Sequence, residues 1–110
     1  MPELTSSRDV IIRTRSHGAA LRFYCEVLGF AVASRAAGMV GLETGAFRLY
    51  VEAGEAHGPV FDFLVADVAA AKARLLAAGC TLIEEDAGVP RCYLRDPYGL
   101  VFNLGRAAAP

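Results

Sequence analysis

The chain has 110 residues, 55% of them hydrophobic and 21% charged, with a formal net charge of −1. That length fits one domain, and so even a charge balance gives nucleic acid or an anionic membrane surface nothing to grip. No run approaches the ~20 apolar residues of a membrane-spanning helix, and the start "MPELTSSRDV" lacks the basic-then-apolar order of a secretory signal. The expectation is a cytoplasmic protein with no nucleic-acid or membrane partner. Cys25, Cys80 and Cys92 show neither a CxxC nor a Cys/His spacing, so they read as reduced, idle thiols and not as the clustered ligands of a zinc site.

Residues 9–15, "DVIIRTR", alternate: Val10, Ile12 and Thr14 on an apolar face, Asp9, Ile11 and Arg13 opposite. Ser16 is placed to cap a helix with its side-chain oxygen and Gly29 to end it. Between them Ala20, Phe23, Tyr24, Val27 and Leu28 fall on one helical stripe, which assigns the Phe23 and Tyr24 rings to the core. Strands follow at 30–35, 39–43 and 47–52, broken at Gly38 and at Thr44-Gly45.

The same order then restarts. Residues 59–67 alternate Phe61, Phe63 and Val65 against Val60, Asp62 and Leu64. Asp67 caps a second helix whose stripe is Val68, Ala71, Leu75 and Ala78, ending at Gly79. Strands at 81–85, 91–95 and 100–104 complete the half, the last two joined by the turn Asp96-Pro97-Tyr98-Gly99. The helix-ending glycines, Gly29 and Gly79, lie 50 residues apart. Residues 1–110 are therefore one α+β domain of two βαβββ modules, about 9–52 and 59–105, with 53–58 as the joint and "RAAAP" as a frayed tail. Each helix covers one face of its module's strands only. The uncovered faces are expected to meet as a curved mixed sheet around a hollow, helices outside, within a chain or across a homodimer. A small organic ligand would sit there.

This duplicated pattern, with "LRFYCEVLGF" in the first half and "DPYGLVFNL" closing the second, resembles the vicinal oxygen chelate superfamily. That group includes glyoxalase I, bleomycin and fosfomycin resistance proteins and extradiol dioxygenases. The resemblance spans Val10 to Leu104 and implies fold more than activity. It also implies positions for a divalent metal: two ligands at the starts of the modules' first strands, usually His, and two on their last strands, usually Glu. Here the glutamate that follows Asp-Pro-x-Gly by four residues is replaced by Asn103, and the second histidine by Val60. The first histidine is replaced by Asp9. The fourth position stays open between Arg48 and Tyr50, with Glu52 on the same face.

Such a ligand set would hold a metal weakly, so no cofactor is expected. Asp9, Arg13, Arg48, Tyr50, Glu52, Asp62 and Asn103 are taken as the residues that line the hollow and contact ligand, with an Arg13–Asp62 ion pair as the bland alternative. Asn103 is expected to face a wet hollow, so that Asn103→Leu would hardly disturb folding. Tyr98 is placed at the hollow's rim or against a partner chain, and His17 and His57 are read as solvated loop residues. Three functions remain. The first is a metal-independent binding protein of the bleomycin resistance type. The second is a metal-dependent lyase, isomerase, dioxygenase or thiol transferase with Asp9 and Glu52 as unusual ligands. The third is a metal-free enzyme with Asp62 or Glu52 as base and Arg13 or Arg48 holding an anion.

Overall fold

A computed structural model describes residues 4–108. The chain divides into two units, residues 8–59 and residues 60–108 together with 4–7. In the first module come β1 (Thr5–Thr14), α1 (His17–Arg22), a π-helical turn (Phe23–Val27), β2 (Ala31–Ala36), β3 (Met39–Glu43) and β4 (Arg48–Ala53). The second contains β5 (His57–Val65), α2 (Val68–Ala77), β6 (Thr81–Asp86), β7 (Arg91–Arg95) and β8 (Val101–Arg106). The strand orders, β1-β4-β3-β2 and β5-β8-β7-β6, are the same pattern repeated. In each, the first and last strands pair parallel and the remaining pairs are antiparallel. The result is a mixed α+β fold.

The repetition reaches fine detail. The second and third strands of both modules shift register at matching places, between Val32 and Ser34 and between Leu82 and Glu84. Gly29 and Gly79, which follow the two helices, have φ of 80° and 109°, a region open to glycine and strained for other residues.

Each module has its own core. Val40, Leu42, Leu49 and Val51 form the first, with Val10, Ile12, Leu21, Tyr24, Cys25 and Phe30 packed against them. Val65, Ala71, Cys92, Leu94, Phe102 and Leu104 form the second, joined by Leu4, Phe63, Val68, Leu75 and Cys80. The alternation expected in β1 and β8 holds; in β5 it holds at Phe63 and Val65, whereas Phe61, nearer the strand's start, lies outside the core and is 41% exposed. The α2 stripe at Val68, Ala71 and Leu75 holds too, as does the Asp67 cap, whose side chain accepts from the Ala70 N–H at 3.0 Å.

The first helix departs from its pattern. Ser16 is the N-cap residue, yet its side chain makes no capping bond. Its N–H instead donates to Thr14 Oγ1 at 3.1 Å. From Phe23 onward the helix widens: Leu28 N–H donates to the Phe23 carbonyl, five residues back, and Phe30 N–H then closes the end on the Tyr24 carbonyl, across Gly29. Bonding at i→i+5 advances less rotation per residue than α-helical bonding. Leu21, still in α1, and Cys25 pack inward beside Tyr24, while Phe23, Val27 and Leu28 are left 50%, 67% and 49% exposed. Phe23 is thus not a core residue.

Three element ends also differ from expectation. β1 starts at Thr5, β5 takes in His57 and Gly58 from the joint, and β8 runs through Arg106. The Ala107 N–H donates to the Val65 carbonyl at 2.9 Å, so the tail is tied down at that point; residues 109–110 lie outside the described residues.

Candidate functional site

On β1 and β4 the face opposite the core carries three cross-strand pairs in register: Asp9 with Arg48, Ile11 with Tyr50, Arg13 with Glu52. Period-two alternation puts all six side chains on that face. Arg48 Nε donates to Asp9 Oδ1 at 3.1 Å, and Arg13 Nε donates to Glu52 Oε1 at 3.0 Å. The charge order is reversed between the two strands, carboxylate-to-guanidinium running down one and guanidinium-to-carboxylate down the other. The Arg13–Glu52 pair is the more enclosed, with side chains 16% and 19% exposed against 41% and 25% for Arg48 and Asp9.

Tyr50 lies between the two ion pairs. The Arg48 guanidinium carbon is 5.9 Å from the centre of its ring. On the other side its cross-strand partner is Gly41 of β3. A Cβ on Gly41 would lie 2.8 Å from Tyr50 Cε1 and 2.5 Å from Ser34 Oγ, so only glycine lets the ring lie down against that strand. The Tyr50 hydroxyl and the two terminal nitrogens of Arg48 make no hydrogen bond among the described residues. They are the polar groups this face leaves open.

In the second module the corresponding face is built on Asp62 and Asn103, which pair directly between β5 and β8. Asn103 Nδ2 donates to Asp62 Oδ1 at 2.9 Å, and Asn103 Oδ1 accepts from the Cys92 backbone N–H at 2.8 Å. The other Asp62 oxygen accepts from Ser7 Oγ at 2.8 Å. Tyr93 is the β7 partner of Asn103 and is 3% exposed. Arg91 lies over the Tyr93 ring at 5.0 Å and donates to Glu84 Oε2 at 2.8 Å.

Pairing also settles the open register. Ile11 and Asp62 each stand five positions before the N-cap of their module, Ser16 and Asp67. Their cross-strand partners are Tyr50 and Asn103. Tyr50, not Arg48, is therefore the counterpart of Asn103, and Asp9 is the counterpart of Val60.

Several expectations change at this level. Arg13 is bonded to Glu52 on the adjacent strand. Asn103 is not an idle amide over water: both ends of its side chain are committed to protein groups. His17 is no bystander, since its Nε2–H donates to the Val51 carbonyl at 2.8 Å and ties α1 to β4. His57 sits in β5, its Nδ1–H directed to the Gly58 carbonyl at 2.9 Å. Tyr98 is 94% exposed at the tip of its turn. There Asp96 Oδ1 accepts the N–H groups of Tyr98 and Leu100, and Gly99 adopts φ 105°.

The sequence reading also missed Ser7, Gly41, Arg91 and Tyr93. The last two were findable, because the alternation of "RCYLR" puts them on the Asn103 side of β7. Ser7 and Gly41 carried no such signal.

The four metal-ligand positions can now be tested for donors. Val60 offers none and is 1% exposed. Asn103 has spent its amide on Cys92 and Asp62, and Asp9 is bonded to Arg48. Tyr50 presents a phenol beside a guanidinium. Imidazole and free carboxylate, the donors that the resemblance implies, are missing from these four positions. Among the described residues no three His, Cys, Asp or Glu side chains cluster as a metal site would. The residues present do not fit the metal.

Repeated βαβββ modules, each with its first and last strands paired parallel, define a class of folds that hosts many chemistries. The chain belongs to the glyoxalase-like domain family, whose pattern matches residues 9–105. Among solved structures it is similar to a glyoxalase/bleomycin resistance protein/dioxygenase superfamily member from Vibrio splendidus. That match has a TM-score of 0.67 and 18% identity, over 94% of this chain and 100% of the other. It is also similar to homoprotocatechuate 2,3-dioxygenase from Brevibacterium fuscum (TM-score 0.67, 18% identity), covering 98% of this chain but 38% of the dioxygenase. A Mn(II)-bound glyoxalase from Novosphingobium aromaticivorans matches at TM-score 0.62 and 20% identity, over 94% and 39% of the two chains. Likenesses at these identities are likenesses of fold. None of the curated proteins compared matches this chain.

Proposed function

We propose that this chain is a metal-independent protein that binds a small organic molecule, in the manner of the bleomycin resistance members of its superfamily. The observation that carries this reading is the donor set. At Asp9, Tyr50, Val60 and Asn103, each group is absent, engaged or of the wrong chemistry for a divalent ion. The groups left open are instead those of an organic-ligand site. An aromatic ring, a phenolic hydroxyl and the outer edge of a guanidinium suit a ligand with a flat or apolar part and an oxygen acceptor. In this reading Arg48 and Tyr50 touch the ligand. Asp9, Arg13 and Glu52 hold the surface around them, and Asp62 and Asn103 do the same on the second module. The working unit is a homodimer.

The test is a thermal-shift screen of small acids and polar aromatics, followed by calorimetric titration of the hits. Arg48→Ala should weaken a genuine ligand by about 1.5–3 kcal/mol if it meets an anionic oxygen. Turnover of a hit would replace binding with catalysis. Hits whose affinity ignores both Arg48→Ala and Tyr50→Ala would place the ligand elsewhere.

A further inference from the structure

The second module has a cavity on the helix side of its strands, away from the face that carries Asp62 and Asn103. It is a cleft, open to solvent on one side, of about 590 Å³, within the ~300–1,000 Å³ range of small-molecule sites. Val68 at the start of α2, Ala87 and Pro90 of the β6–β7 hairpin, and Cys92 and Leu104 give it apolar walls. Cys92 and Leu104, its innermost side chains, are only 4% and 3% exposed.

The charged residues of the lining are Glu85, Arg91 and Arg106, of which Arg91 turns its guanidinium to the other face of β7, over Tyr93. Glu85 is held by Lys72, whose Nζ lies 2.8 and 2.7 Å from its two oxygens. Arg91 is held by Glu84 at 2.8 Å. Arg106 forms no hydrogen bond or ion pair among the described residues. The two paired charges cancel locally, which leaves Arg106, an exposed side chain at the rim, as the lining charge without a partner among the described residues. An anionic head with an apolar body complements that arrangement. A neutral ligand would leave the guanidinium unused, and a cation would meet it unfavourably.

We propose that this cavity is a second binding site, independent of the Arg48–Tyr50 face, for a small monocarboxylate with an aryl or short alkyl body. Its carboxylate meets Arg106 and its body lies against Val68, Cys92 and Leu104.

The probes are benzoate and hexanoate, with benzyl alcohol and hexanol as neutral matches, on the full chain. Equilibrium dialysis of the Arg48→Ala variant should still find one carboxylate site per chain, with a dissociation constant of about 1 mM or tighter. Alkylation of Cys92, followed by peptide mass, should slow when the site fills, and the alcohols should bind more weakly. Arg106→Gln should weaken the carboxylates about tenfold or more and leave the alcohols unchanged. Ala87→Trp, on an exposed hairpin residue, should abolish both binding and Cys92 protection, whereas Arg48→Ala should change neither. Absence of a millimolar site would overturn the proposal. So would binding that does not discriminate carboxylate from alcohol, or that persists in Ala87→Trp. Loss of binding in Arg48→Ala would assign the carboxylate to the other face.

Discussion

Asn103 shows how one side chain can be structural at a position where the sequence resemblance implies a chemical group. The β7–β8 ladder pairs Tyr93 with Asn103, and the next N–H on β7, that of Cys92, is satisfied by the Asn103 side chain. Cys92 is 4% exposed, so water has little access to that N–H. Asn103→Leu should therefore destabilise the protein by about 1–3 kcal/mol in urea denaturation, because it strands a buried donor and removes a partner of Asp62. This reverses the sequence expectation of a nearly silent change. Phe102→Ala, which empties a position in the second core, should cost about 3–5 kcal/mol. A near-zero cost for Asn103→Leu would mean that water replaces the amide. Alternation correctly told which way Asn103 faces, but only the β7 backbone told what it meets there.

At the scale of elements, β3 supports the first module's open face through one missing Cβ. Gly41→Ala would drive a methyl into Tyr50 Cε1 and Ser34 Oγ, at 2.8 and 2.5 Å from the new atom. A destabilisation of about 1–3 kcal/mol is expected, with a larger proportional loss of ligand affinity than Arg13→Lys, since the ring itself must lift. Finding ligand affinity intact in Gly41→Ala would show that the Tyr50 ring pose does not matter. Strands, turns and α2 were legible because period-two alternation, glycine and an Asp cap are local signals. The π-helical turn was not. Its cause is a widening of the hydrogen-bond ring from Phe23 onward, to which a 3.6-residue stripe is blind, and the stripe therefore misassigned Phe23, Val27 and Leu28. The ion pairs were equally hidden. Sequence put Arg13, Glu52, Arg48 and Asp9 on one face, but which carboxylate each guanidinium takes depends on the strand register.

For the whole molecule, two properties follow from charge and exposed surface. The Glu85 carboxylate, bonded to Lys72, holds that ammonium's pKa above its ordinary value, and burial holds the Cys92 thiol above its own. Both groups bind protons more tightly folded than unfolded. Their contribution is thus complete below the unfolded pKa values and is lost as pH rises through the folded ones. Denaturation midpoints should fall on the alkaline side, and less so in Lys72→Met, in which the Lys72 contribution is gone. A homodimer is the second expectation. Large apolar side chains at Phe23, Val27 and Leu28 are 49–67% exposed, and Tyr98 is 94% exposed; such surface is a usual mark of association. Light scattering at micromolar concentration should give twice the 11.7 kDa chain mass, and Val27→Asp should shift it towards monomer. Among the described residues no helix is long and apolar enough to cross a membrane. The central claim, ligand binding without a metal, is tested most directly by elemental analysis of the protein after dialysis against excess Mn(II), Ni(II) and Zn(II) and then against metal-free buffer. The account predicts far less than one retained ion per chain, with small-molecule binding unchanged by the treatment. Close to one ion per chain, lost in Asp9→Ala together with ligand binding, would contradict it.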